Sequence, residues 1–155
     1  MLQVGNAGLS PTEAKAHFAA WALIASPLLI GADISNGVDA GTLAILAAPE
    51  VIGVSQDPLG VQGVRVSPPA PDGAECWARP LADGTVAALL LNRGPAPAAA
   101  TCTFAQLGLK DPAGAATVRD LEARADLGTF TAAFSVPALA SHAARLVKVA
   151  QKAAA

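Results

Sequence analysis

The chain has 155 residues, long enough for one good core, or for one small domain and part of a second. It is 53% hydrophobic but only 4% aromatic and has no Tyr, so its apolar content is mostly Ala with some Leu and Val, and its core is thin in large side chains. A formal net charge of −2 without Lys/Arg clusters lacks the electrostatic footprint of a nucleic-acid or anionic-membrane binder, and neither partner is expected.

Leu2-Gln3-Val4 reads as the end of a strand. Ser10-Pro11-Thr12-Glu13 has the form of a capping box with Pro at the first helical position, which starts a helix. Ala14, Phe18, Trp21 and Ala25 continue at helical spacing, and Pro27 disfavours helical geometry at Ser26. The helix is therefore predicted to end near Ala25, with His17 one turn after Glu13 as an ordinary surface pair. Leu28-Leu29-Ile30, closed by Gly31-Ala32-Asp33, reads as a strand buried on both faces, as in parallel sheets. The uncharged stretch from Ala16 to Ala32 is shorter than the roughly 20 residues of a spanning helix and is broken by Pro27. Asp39 caps a second predicted helix through Leu43, Ile45 and Leu46, stopped before Pro49. Strand, helix, strand, helix is the alternation of an α/β fold, but one and a half units cannot fill a sheet, and their strand edges call for partners elsewhere.

From Gly60 the texture changes to short runs punctuated by Gly, Pro and Asp. Glu75–Leu81 and Thr85–Asn92 flank Asp83-Gly84, a favoured hairpin turn, and the second run is apolar on both faces, as in a central strand. Thr101–Leu107 and Thr129–Val136 alternate, the latter with Phe130, Ala132, Phe134 and Val136 on one face, and Arg145–Val149 closes the set. Such a series argues a β-sandwich. In a simple meander the strands of Cys76 and Cys102 flank the central strand, about 9 to 10 Å apart, and a pair so placed cannot be bridged without rearrangement. Residues 151–155 read as a disordered tail.

No metal-ligand spacing, nucleophile elbow or phosphate loop is present, and neither a metal nor a cofactor is expected. If the α/β units belong to a barrel, function belongs at the C-terminal ends of its strands, here Met1–Asn6 and Gly31–Asp33. Asp33 is a candidate acid/base or substrate-binding group, although a carboxylate in such a turn more often caps local amides. Trp77 offers a surface for stacking on a sugar, but in an alternating strand it is more often core, as is Trp21 on its helix stripe. His142 and Asp57 read as structural, the first by a hydrogen bond before the last strand and the second in the Asp57-Pro58-Leu59-Gly60 turn. No two carboxylates are paired by local spacing.

Several segments nevertheless form a recognisable series: Met1-Leu2, Gly5-Asn6-Ala7-Gly8-Leu9, Trp21-Ala22-Leu23, Pro27-Leu28-Leu29-Ile30-Gly31-Ala32-Asp33-Ile34 and Gln56-Asp57-Pro58-Leu59-Gly60-Val61-Gln62-Gly63. The β-region adds Trp77-Ala78-Arg79-Pro80-Leu81, Leu91-Asn92-Arg93-Gly94, Val118-Arg119-Asp120-Leu121 and Asp126-Leu127-Gly128-Thr129-Phe130. In this order the series resembles the α-galactosidases of glycoside hydrolase family 27, across nearly the whole chain. The resemblance implies an α/β plus all-β architecture: residues 1–60 as the last strand/helix units of a (β/α)8 TIM barrel, and residues 61–150 as a C-terminal antiparallel β-sandwich. It implies retaining hydrolysis of terminal α-linked galactose by two Asp residues, roughly 5 Å apart across the scissile bond. Both would lie upstream of the matched segment, so no catalytic residue is assigned here, and a missing N-terminal barrel segment is needed to complete the fold.

In the family pattern Asp-Pro-Asp precedes the Met that Met1 matches, and that Met lines the sugar pocket, which makes Met1 the one substrate-binding position carried over. Glu122 stands where the family often has Trp, and Ala143 where Gly usually follows Ser-His. Family members are usually secreted, vacuolar or lysosomal, while this sequence opens without signal-peptide features, its first cation being Lys15. The expectation is the C-terminal part of an α-galactosidase-like hydrolase, inactive alone and acting on α-galactosides in the full-length protein. The alternatives are a non-catalytic carbohydrate-binding or interaction module, and a truncated gene product without function.

Overall fold

The computed structural model describes residues 1–68, 70 and 73–151. Helix α1 spans Pro11–Leu23 and begins as its sequence dictates: Glu13 N donates to Ser10 Oγ at 3.3 Å and Ser10 N donates to Glu13 Oε2 at 2.9 Å. It ends two residues before the expected point. Ala25 adopts a left-handed φ of 57°, so that Ser26 N reaches back to the Trp21 carbonyl and Ala25 N to that of Ala22, a Schellman closure with Ala in the place usually held by Gly. Helix α2 (Ala40–Leu46) is capped by Asp39, whose Oδ1 accepts from Gly41 N and Thr42 N at 2.9 and 3.0 Å. Pro49 does more than stop α2. Its fixed φ suits a first helical turn, and it opens α3 (Pro49–Ser55), which the sequence reading lacks.

Among the described residues that follow, eight strands form: β1 (Val64–Arg65), β2 (Ala74–Pro80), β3 (Val86–Asn92), β4 (Ala98–Thr103), β5 (Ala115–Asp120), β6 (Ala125–Thr131), β7 (Ala133–Leu139) and β8 (Ala144–Gln151). Six of them make an antiparallel sheet in the order β1-β2-β3-β8-β5-β6, and β4 pairs with β7 in a second sheet. The β2–β3 hairpin turns at Asp83-Gly84 as expected, with Gly84 at φ 80° and Leu81 N bonded to the Thr85 carbonyl. Gln151 belongs to β8, opposite Ala116, and its side chain is bonded to Asp111, so the expected tail does not include it; residues 152–155 lie outside the described residues.

Two expectations about the strands need correction. The alternating run Thr129–Val136 is not one strand. Ala132 takes a left-handed φ of 64° and divides it into β6 and β7, one in each sheet, although Phe130 and Phe134 still meet edge to face at 5.1 Å. The cysteines are bridged. Because β4 leaves the β2–β3 sheet and stacks across β2 instead of extending a meander, Cys76 and Cys102 face each other with Cα atoms 5.4 Å apart and form a buried disulfide.

Strand β3 shows how the parts are joined. Val86, Ala88 and Leu90 enter the sandwich core with Cys102, Phe104, Val118, Phe134 and Val147. Ala87 and Leu89 point the other way, into a second core with Leu2, Val4, Phe18, Leu23, Val51, Val54, Leu121 and Leu146. The helices therefore share a core with the outer face of the sheet. Polar contacts reinforce the seam: Asp57 accepts the Ala82 amide, the buried Arg79 donates from Nη1 to the Ala22 carbonyl at 3.0 Å, and Arg119 grips Glu50 with Nε and Nη2 at 2.8 and 2.7 Å. Gly63 passes so close to α1 that a Cβ there would lie 2.6 Å from the Leu23 carbonyl oxygen.

Candidate functional site

The two segments singled out by the barrel argument are brought side by side. Leu2 N donates to the Leu29 carbonyl at 2.8 Å and Gly31 N to the Leu2 carbonyl at 3.1 Å, giving a parallel bridge between Leu2 and Ile30. Glycine makes this approach possible: a Cβ on Gly31 would sit 2.6 Å from Leu2 O, and one on Gly5, at φ 93°, would sit 2.9 Å from the Ala32 Cβ. The turns that follow, at Gln3–Asn6 and Gly31–Asp33, thus leave the same end of the pair. Met1 directly precedes the bridged Leu2 and is 73% exposed. Leu28–Ile30 does not form the doubly buried strand expected: Leu29 and Ile30 are 60% and 44% exposed, because the bridge to Leu2 covers one edge and no layer covers the outer face among the described residues.

Asp33 keeps the commoner of its two readings. Its Oδ1 accepts the Ser35 amide at 2.8 Å, and hydrogen bonding from Ser35, side chain first and amide second, holds its carboxyl below the usual range. It is a turn cap. Asp57 accepts Leu59 N within its turn and Ala82 N across the seam, which makes it structural as well. His142 has its Nδ1 3.0 Å from Ser141 Oγ. Trp77 lies half-buried against the seam with Nε1 donating to Glu75 Oε2 at 2.9 Å. Burial pushes the Glu75 carboxyl up, but hydrogen bonds from Trp77, Arg93 and Arg65 outweigh it and leave the group below its usual range. Among the described residues no three of His, Cys, Asp and Glu converge as metal ligands, and no helix is long and apolar enough to cross a membrane.

His17 is not a partner of Glu13. The Glu13 carboxylate is used by the cap, and His17 Nε2 instead accepts the Gln3 amide hydrogen at 3.1 Å while its ring packs on Trp21, centroids 4.2 Å apart. Burial, and secondarily the Met1 α-amino group, holds the imidazole below its ordinary pKa. Local spacing had no means of finding a partner 14 residues upstream. Glu122 was also unforeseen as a site feature. With Lys15, Asp120 and Arg145 it edges a cleft of about 430 Å³ whose apolar wall includes Phe18 and Ile45, and burial pushes its carboxyl up. A large aromatic residue in that position would occupy the space.

Two family models cover the chain in sequence order. One describes the α-galactosidase C-terminal β-sandwich domain and matches residues 71–149, and the other, α-galactosidase A, matches residues 1–57. The chain belongs to the α-galactosidases of glycoside hydrolase family 27. A probable α-galactosidase of Dictyostelium discoideum is 38% identical over 139 residues, which is 90% of this chain and 36% of the relative. The chain thus spans about a third of the length of that protein. Among solved structures, α-galactosidase I of Mortierella vinacea superposes with a TM-score of 0.88 at 30% identity, over 96% of this chain and 38% of the other. An α-galactosidase of Saccharomyces cerevisiae, solved with raffinose, has the same fold at 21% identity and a TM-score of 0.84, over 96% of this chain and 45% of that one. The combination of a small α/β part and an antiparallel sandwich is this family's C-terminal architecture.

Proposed function

We propose that this chain supplies the closing units of the barrel and the sandwich of a retaining α-galactosidase, and that Met1 is its contact with the galactose. Residues 1–60 are then the barrel part and residues 61–150 the sandwich. The observation that supports this reading best is the Leu2–Ile30 bridge. Two neighbouring parallel segments, each followed by a turn at its C-terminal end, are what a barrel presents to its substrate, and family models match on both sides of the seam. Glu13, Asp33, Asp39, Asp57 and Glu50 already serve caps, turns and an ion pair, and Glu122 lines a cleft that no residue of 1–6 or 31–33 borders. The nucleophile and the acid/base would therefore come from polypeptide outside these 155 residues, which would also cover the open edges and the apolar side chains of Leu29, Ile30 and Ile34.

An aryl α-galactoside assay tests both halves of this reading. The purified 155-residue chain is expected to release no aglycone, and turnover by it would overturn the assignment. Joined to an upstream barrel segment from a related α-galactosidase, it is expected to turn over, with Met1→Ala raising KM about tenfold, the scale of one lost apolar pocket contact. An unchanged KM would remove Met1 from the sugar site.

A further inference from the structure

We propose that His17 is a positioning residue for the segment that begins with Met1: its unprotonated Nε2 accepts the Gln3 amide hydrogen and holds residues 1–6 against α1 in the orientation in which Met1 faces the sugar. The proposal rests on the reading of Met1 as a substrate contact, but its geometry is independent of it. Leu2 uses its N–H and its carbonyl on the neighbouring segment, to Leu29 and from Gly31. Successive amides of an extended segment point to opposite sides, so the Gln3 N–H turns away from that neighbour, and there it meets His17.

Gln3 is also the hub of the turn. Its carbonyl accepts Asn6 N at 3.0 Å and its Oε1 accepts Asn6 Nδ2 at 3.0 Å, so fixing Gln3 fixes the whole Gln3–Asn6 loop. The flanking side chains of Leu2 and Val4 are fully buried, which sets the depth of the segment but not the rotation of its exposed end. His17 supplies that restraint from a rigid place: the middle of α1, behind a complete capping box, with its ring packed on Trp21. An imidazole that accepts at Nε2 carries its proton on Nδ1, and a second proton would turn Nε2 into a donor facing a donor. The charged and titratable groups around it are Glu13 on the same helix, the Met1 α-amino group, and Arg93 and His142 across the groove on the sandwich side. Burial, with the Met1 α-amino group second, favours the neutral ring.

The test follows the Gln3 amide proton and the His17 ring nitrogens by NMR in the 155-residue chain. In the wild type the Gln3 amide shift is expected to move upfield on acidification, with the same midpoint as the His17 ring. His17→Gln retains an acceptor without a titrating group, so the shift persists and becomes independent of pH. His17→Phe retains a ring against Trp21 and loses the acceptor, so the downfield shift is lost at every pH while far-UV circular dichroism confirms the helices. A Gln3 amide that is unchanged in His17→Phe, or that titrates out of step with His17, overturns the proposal. No sugar enters this measurement, so its failure removes the clamp alone, and the sugar contact stands or falls on the KM of Met1→Ala.

Discussion

Ala88-Leu89-Leu90-Leu91 and Leu28-Leu29-Ile30 are the same kind of segment in sequence, uninterrupted apolar runs that ask for cover on both faces. They meet opposite fates. Strand β3 has β2 and β8 on its two edges, one core beneath it and another above, and Leu89 and Leu90 are essentially inaccessible. The Leu28–Ile30 segment has one bridge to Leu2 and leaves Leu29 and Ile30 in contact with solvent. An apolar run states a demand for burial; whether the demand is met depends on the neighbours that the rest of the chain can bring.

The sandwich meets its own demand partly through a covalent link, and removing that link is the harshest way to break the comparison. The β4–β7 pair is a two-stranded sheet, which is marginal alone, and the disulfide ties it to β2. Replacing both cysteines by Ala should cost about 3.5 kcal/mol, the chain-entropy estimate for a separation of 26 residues, as measured by urea unfolding. A loss below about 1 kcal/mol would mean that β4 is held by packing alone. Leu89→Ala should cost about 3 kcal/mol in the same assay, because it opens a cavity where helices and sheet share a core. Leu29→Ala should change stability by less than about 0.5 kcal/mol, since that side chain is already 60% exposed. Equal losses at the two leucines would erase the distinction drawn between the regions.

A small, pH-dependent effect concerns the seam at Glu122. Burial, the largest influence on it, raises its carboxyl pKa, with Asp120 acting in the same direction and Lys15 and Arg145 opposing. A folded-state pKa above the unfolded value favours the fold in acid, and that benefit is lost as the pH rises through the folded value. Glu122→Gln should therefore leave the Tm nearly unchanged at pH 4 and raise it at pH 7.5, by an amount within about 1 kcal/mol of stability. A lowered Tm at pH 7.5 would show that the carboxylate is paired with Lys15 or Arg145 and stabilises the seam.

The parts that were legible in the sequence are those fixed by local chemistry: the capping box at Ser10, the Asp39 cap, the Asp83-Gly84 hairpin and the two-sided character of β3. What escaped was set by tertiary placement. The left-handed residues that end α1 and divide β6 from β7 are alanines, so no glycine announces them. Alternation places Cys76 and Cys102 on strands but does not say that β4 joins another sheet, and the meander assumption separated two cysteines that are bonded. The candidate site shows the same division. The segments Met1–Asn6 and Gly31–Asp33 were singled out by the strand-end argument and Met1 as a sugar contact by the resemblance alone, whereas the His17–Gln3 bond needed the fold to bring a helix against a strand end. The family resemblance was carried by motif order, and it reached the seam through Asp57, Arg79 and Arg119, whose side chains join helices to sheet.

Native-state hydrogen exchange of the 155-residue chain tests the contrast between the two regions most directly. The amides of Ala88 and Val147, paired in the β3–β8 ladder, are expected to exchange only through global unfolding. Those of Leu2 and Gly31, which hold the parallel bridge, are expected to open locally at a free energy several kcal/mol lower. Equal protection of the two pairs would contradict the account, because it would show that the α/β part is closed by this chain alone.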